Sequence, residues 1–201
     1  MMEWTAFEDQ ARAEGYTCIC GIDEAGRGPL AGPVYAAAVV LRPGQVIEGV
    51  NDSKKLSEKK REALFDAICS QCAAYGISSA TEKEIDEINI LNATYLAMQR
   101  AVAALPVQPD CALVDGNRAP DLPLEVRTII KGDAQSASIA AASILAKVSR
   151  DRYMLQMAEK YPQYAFEKHK GYGTKLHYER LEQYGISPIH RLSFLKKWMN
   201  R

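Results

Sequence analysis

Thr17-Cys-Ile-Cys-Gly-Ile-Asp-Glu-Ala-Gly-Arg-Gly-Pro-Leu-Ala-Gly-Pro-Val-Tyr-Ala-Ala-Ala-Val-Val-Leu41 is the stretch on which the fold turns. Residues 17–23 are an apolar run that stops in acids, the pattern of a short buried strand. Gly26–Pro33 is rich in glycine and proline, a turn-forming connector. Val34–Leu41 is small and β-branched, which predicts a second strand returning beside the first as a hairpin. Arg42-Pro-Gly44 ends it.

Working outward, Ser57 is an N-cap candidate for a helix running to about Cys72, and Ala73–Ala80 reads as a third strand. Thr81-Glu-Lys-Glu84 has capping-box spacing. Leu91, Tyr95, Met98, Val102 and Leu105 recur at helical steps until Pro106 stops them. Cys111–Asp115 is a buried strand that again stops in an acid, and Glu125–Ile130 is another strand. Lys131-Gly-Asp133 leads into an Ala/Ser-rich helix from Ser136 to Lys160. The small residues of that helix suit close helix–sheet packing, with a substrate role open for Ser136 and Ser138. The final forty residues are helical, basic and aromatic, broken by a loop at His169–Thr174. The class is α/β, a mixed sheet flanked by helices with a helical C-terminal extension. The expected division is 1–160 and 161–201, packed as one structural unit.

Over 201 residues the 25 Lys+Arg balance the 25 Asp+Glu, and 47% of side chains are hydrophobic. This is the composition of a folded globular chain. The longest apolar run, Val34–Leu41, is far too short to span a bilayer. Met1-Met-Glu-Trp4 lacks the basic-then-apolar pattern of a secretory leader, so the expected setting is cytoplasmic. Five cysteines on such a chain do not suggest a disulfide framework. Cys69 and Cys72, on an apolar helix face, read as small hydrophobes. The zero net charge hides an asymmetry: residues 147–201 carry twelve bases and five acids, a balance of +7, against −7 for the rest. A basic C-terminal part suits a phosphate-bearing partner and equally a solvated helix face.

Asp23 and Glu24 end the first strand, Asp115 ends a later one, and Asp133 precedes a helix. Acids are depleted in strands, and ligands gather at strand ends of α/β sheets. Carboxylates packed together repel unless a cation neutralises them. An all-oxygen set suits Mg²⁺ or Mn²⁺ rather than zinc. Successive strand residues face opposite ways, so bringing Asp23 and Glu24 together needs a strand that ends or bulges there. Gly26-Arg-Gly-Pro-Leu-Ala31 loosely fits a dinucleotide-binding turn, but a β-rich run follows where a helix should start. Gly-Arg-Gly suits instead the close approach of a sugar-phosphate chain, with Arg27 adding charge.

Six segments then resemble one family, ribonuclease HII. They are Gly21–Pro29, Asn51–Ser57, Val114–Asn117, Lys131–Asp133 with Ala140–Lys147, His169–Thr174 and His190–Phe194, in the family's order over almost the whole chain. The resemblance implies a ribonuclease H-like fold and cleavage of the RNA strand of RNA–DNA hybrids. It also implies incision at single ribonucleotides embedded in duplex DNA. It assigns Asp23, Glu24, Asp115 and Asp133 to a metal-binding set, with two Mg²⁺ or Mn²⁺ ions expected. Gly26, Arg27 and Gly28 become sensors of the ribose 2′-hydroxyl, and Tyr172 the aromatic that packs on the neighbouring deoxyribose. Lys54, Lys55, Lys147, Lys170 and Arg191 are candidate phosphate contacts, with a solvated role open for the first two. His169, His177 and His190 lack metal-ligand spacing and read as structural or phosphate-adjacent. The expected state is a monomer with no membrane contact. Another nuclease on a similar fold and a non-catalytic hybrid-binding module remain compatible with the sequence.

Overall fold

The computed structural model describes residues 4–51, 53 and 56–200; Lys54 and Lys55 lie outside them. Five strands form one mixed sheet: β1 (Ile19–Ala25), β2 (Val34–Val40), β3 (Ala74–Ala80), β4 (Cys111–Asp115) and β5 (Glu125–Ile129), ordered β3-β2-β1-β4-β5. The hairpin expected of residues 17–41 forms, because β1 and β2 pair antiparallel from Cys20↔Val40 to Ala25↔Tyr35. β4 and β5 are added parallel on the other side of β1. The chain therefore leaves β1 toward one edge and later returns beside it toward the other. The carboxyl ends of β1 and β4 meet at this switch point, the usual ligand crevice of α/β sheets.

Two helical layers cover the sheet. On one face, α3 (Glu82–Ala103) packs over Cys20, Ile22, Ala36, Ala38 and Val114. It opens with the capping box predicted at Thr81–Glu84. The two helical stretches expected there join across a kink at Asn89, which adopts φ 67°. The Asn89 side chain accepts from the amides of Leu91 and Asn92 and so caps the second half. The opposite face carries α2 (Glu58–Gln71) and α4 (Ala137–Lys160), packed on Ala37 and Val39 through Ile68, Ala141, Ile144 and Leu145.

The alanines of β2 and α4 let helix and sheet approach closely. Gly21 is the tightest point, since a Cβ there would run into the backbone of Ser138 and Ile139. α1 (Ala6–Ala13) plugs the amino end of α4. Its buried Glu8 accepts from the Ser138 amide and from the hydroxyls of Ser136 and Ser138, an anion at a helix N-terminus. Both serines are buried and turned to Glu8, which corrects the open substrate role: their hydroxyls serve this junction.

The C-terminal segment adds the short α5 (Phe166–His169), α6 (Lys175–Tyr184) and α7 (Leu192–Met199). Phe166, Leu181, Ile189 and Leu195 close around Leu30 and Ala31 of the connector and Met154 of α4. Asp86 of α3 caps α7 by accepting from the amides of Leu192 and Ser193. All five cysteines are free thiols. No helix among the described residues is long and apolar enough to cross a membrane.

Candidate active site

The register of β1 against β4 builds the centre. Their last paired residues are Ile22↔Val114, so continuing the register by one residue sets Asp23 beside Asp115. In-register neighbours of a parallel pair point the same way, here toward α4, as Gly21 and Leu113 do. Asp133 arrives from a 3-10 turn, Gly132–Ala134, just before α4. That turn is tied down by the Gly132 amide, which donates to Asp115 Oδ1 at 2.6 Å. One carboxylate oxygen each from Asp23, Asp115 and Asp133 then lies within 4.8 Å of the others.

Glu24 points elsewhere: of the two expected arrangements, a strand that ends or one that bulges at the acids, no bulge forms. β1 runs on in regular pairing with β2 through Asp23↔Ala37 and Glu24↔Ala36. Only its partnership with β4 stops at the acids. Alternation turns Glu24 to the α3 face, where it lines a small pocket with Tyr95, Met98 and Asp115 and meets Arg27 Nη1 at 3.4 Å. It still reaches the rim of the acid cleft, because both Asp23 and Glu24 line the same recess.

Asp23 is 5% exposed. Burial pushes its carboxyl well above the usual carboxylate range, and the charges of Glu24 and Asp115 push the same way. The Glu24 amide, which donates to Asp23 Oδ1 at 2.7 Å, and the Ser143 hydroxyl oppose the rise. Ser143 is also 2.7 Å from the hydroxyl of Ser53. These two serines line the cleft and were missed in the sequence reading. Small polar residues inside an alanine-rich helix and a lysine-rich loop carry no chemical signal of their own.

The cleft beside the acids is about 190 Å³ and is lined by Asp23, Glu24, Gly26, Ser53, Lys147 and Tyr172 among others. Lys147 bonds Asp151 at 2.6 Å, and burial pulls its pKa down against that ion pair. Tyr172 is 43% exposed, and a Cβ built on Gly28 would lie 3.7 Å from its ring. Lys170 donates to the carbonyl of Glu167. Gly26 has φ +95°, and a Cβ there would strike the Arg150 guanidinium, so the second residue after the acids must be glycine.

Arg191, expected on a phosphate, is fully buried instead. It donates to the carbonyls of Gly26, Arg27 and Gly32 at 2.6–3.0 Å. Arg150, also buried and unnoticed in sequence, donates to Ala31, Pro33 and Lys170. Two guanidiniums thus hold the Gly26–Pro33 connector from beneath, with Glu82 facing both charges. Arg191 is a positioning residue because its donors are committed to backbone far from solvent.

Behind this loop the three histidines meet in the core. His169 and His177 stack at 4.4 Å between ring centres, and His190 lies 5.1 Å from His177. Burial lowers all three pKa values, His177 and His190 to about 4. Tyr164 and Phe166 are the other rings that face them. The unfolded chain takes up protons near the ordinary 6.5 while the folded one stays neutral, so this stability is complete above 6.5 and is lost as pH falls toward 4. Each of the two lower histidines then costs about 2 kcal/mol by pH 5. The raised Asp23 carboxyl acts in the opposite sense, so the effect is cleanest in Asp23→Asn. We expect its melting temperature to fall by about 10 °C between pH 7 and pH 5; a flat profile would contradict neutral buried rings.

The donor set fits hard divalent cations. Three carboxylate oxygens converge with no nitrogen or sulfur ligand among them, and burial together with the neighbouring charges of Glu24 and Asp115 disfavours the ionised state of Asp23, which a cation would restore.

A family model described as Ribonuclease HII matches residues 20–197. The chain is 60% identical over 189 residues to a ribonuclease HII of Caldicellulosiruptor bescii, covering 94% of this chain and 92% of that one. It is 62% identical over 177 residues to one from Marinomonas sp., covering 88% and 89%. Among solved structures, ribonuclease H2 from Pyrococcus horikoshii OT3 superposes with a TM-score of 0.73 at 30% identity, covering 88% of this chain and 93% of that one.

Proposed function

Because this chain belongs to the ribonuclease HII family, metal-dependent nucleases that hydrolyse the RNA of RNA–DNA hybrids, we propose that it also incises duplex DNA on the 5′ side of a single embedded ribonucleotide. The observation that carries this reading is the convergence of Asp23, Asp115 and Asp133 beside a cleft that Gly26 and Tyr172 also line. Residues 1–160 are the catalytic unit in this reading, and 161–201 the extension that supplies Tyr172. A monomeric, cytoplasmic protein that clears ribonucleotides from DNA completes it.

Asp23, Asp115 and Asp133 would hold Mg²⁺ or Mn²⁺, with Glu24 joining from the rim, and a pair of ions is the expected complement. Bound there, such cations supply Lewis acidity and neutralise charge on the scissile phosphate. The acids keep those charges at one edge of the sheet, where a bound cation would offset the burial and like charges that disfavour ionised Asp23. Water attacking in line breaks the P–O3′ bond and leaves a 3′-hydroxyl and a 5′-phosphate. The backbone of Gly26–Gly28 reads the 2′-hydroxyl, the group that separates RNA from DNA at one position. Its aim is fixed from below by Arg191 and Arg150. Tyr172 packs on the next sugar and favours one lacking that hydroxyl. Arg27, Lys147 and Lys54 meet phosphates, which position the duplex without reading its sequence.

Two duplexes that differ by one 2′-hydroxyl test the reading in Mg²⁺ or Mn²⁺. We expect a single cut 5′ of the ribonucleotide, no cut in its all-DNA twin, and no product with excess chelator. Equal cutting of both duplexes, or full activity in chelator, overturns it.

A further inference from the structure

Tyr172 is held from behind by a chain of three residues that the reaction does not itself use. Ser187 N lies 2.9 Å from His190 Nδ1, His190 Nε2 lies 2.9 Å from His177 Nε2, and His177 Nδ1 lies 2.9 Å from the Tyr172 carbonyl oxygen. The two rings and Ser187 are buried.

The order of protons along this chain is forced from both ends. A backbone N–H can only donate, so His190 Nδ1 facing Ser187 carries no proton. The Ser187 hydroxyl, 2.7 Å from the same nitrogen, must donate as well. Neutral His190 then holds its proton on Nε2 and gives it to His177 Nε2, which leaves the His177 proton on Nδ1. At the far end a carbonyl oxygen can only accept, and it requires that same proton on Nδ1. His169 is ordered independently: the Gly171 amide donates to its Nδ1, and its Nε2 faces the Tyr164 carbonyl at 3.0 Å. One tautomer per ring satisfies every link.

The chain also joins the two segments that flank the cleft. His190 bridges Ala31 in the connector, Gly32 N donates to Ile189 O, and Leu30 N donates to Gly171 O beside Tyr172. A shift of either histidine would move the connector and the Tyr172 loop together. We propose that Ser187, His190 and His177 form a proton-ordered relay that positions Tyr172, so that both histidines set the preference for an RNA-to-DNA junction without touching substrate. This rests on Tyr172 contacting the sugar next to the ribonucleotide.

Two measurements test it. Imidazole ¹⁵N correlation spectra of the full-length wild-type protein at pH 7 should show His177 as the Nδ1–H tautomer and His190 and His169 as Nε2–H. A His177 protonated on Nε2 overturns the relay, and this needs no variant. The second readout is the ratio of cutting at a single ribonucleotide in DNA to cutting within an all-RNA strand of a hybrid. Tyr172→Ala should lower that ratio about tenfold, the scale of losing one aromatic–substrate contact. His177→Phe keeps a ring but donates nothing, and should lower it about fivefold. His177→Asn keeps a donor near the Nδ1 position and should stay within about twofold of wild type. A normal ratio in His177→Phe beside a lowered one in Tyr172→Ala overturns the relay and leaves the Tyr172 reading intact. A normal ratio in Tyr172→Ala overturns the Tyr172 reading, and the role of the histidines in specificity falls with it. Equal loss in the Phe and Asn variants also overturns the relay, because ring packing alone would then explain it.

Discussion

Asp23→Asn should lose at least about a thousandfold in turnover, the scale of removing one member of a cooperating catalytic set, while its metal-free form melts above the wild type. Both outcomes come from one feature. Asp23 is buried, and desolvation, Glu24 and Asp115 all work against its ionised state. An acid with a raised folded pKa adds stability at low pH, where it is protonated, and that stability is lost as pH rises through the folded value. At neutral pH the metal-free wild type therefore carries an uncompensated repulsion that the amide removes at nearly constant shape. Divalent cations relieve the same repulsion, so Mg²⁺ or Mn²⁺ should raise the melting temperature of the wild type more than that of the variant. Thermal melts with and without metal, beside single-turnover cutting, decide it. Retention of a tenth of the activity, or a metal-free variant less stable than wild type, would remove Asp23 from the centre.

Arg191→Met should cost about 3 kcal/mol or more in urea unfolding and should depress cutting of every substrate. The side chain is fully buried, and it donates to Gly26, Arg27 and Gly32 across more than 150 residues of sequence. Each buried carbonyl left without a donor costs about 1–3 kcal/mol. Relief of the like charge of Arg150 offsets part of that loss. Arg191→Lys should recover little, because one ammonium cannot reproduce a planar fork that spans three carbonyls. A midpoint shift worth less than about 1 kcal/mol, or weaker binding at unchanged stability, would return Arg191 to the phosphate-contact role expected of it in sequence.

The element types were legible because they rest on local patterns. Apolar runs stopping in acids announced β1 and β4, the Thr81–Glu84 spacing announced the start of α3, and Ser136 announced α4. The acids stood out because acids are depleted in strands and ligands gather at strand ends. Side-chain direction was less legible: a strand that ends or bulges at the acids was expected, and β1 does part from β4 there, but its unbroken pairing to β2 turns Asp23 and Glu24 to opposite faces.

The charged and polar residues were harder to assign for a different reason. Arg191 looks like a surface base in sequence, and its burial depends on carbonyls of residues 26–32 that only the folded chain brings to it. The three histidines share no spacing, yet α5, α6 and the approach to α7 deliver them to one stack.

The linear order of residues settled which segments are strands and helices, and which carboxylates are candidates for chemistry, because hydrophobic period and capping act over a few positions. It could not settle that Asp23 stands beside Asp115, that Glu24 faces away, or that Ser187 dictates the proton on His177. Those outcomes depend on strand register and on hydrogen bonds between residues distant in sequence. Only closure of the whole core fixes such pairings, because a partner far along the chain is indistinguishable from solvent until packing excludes the water.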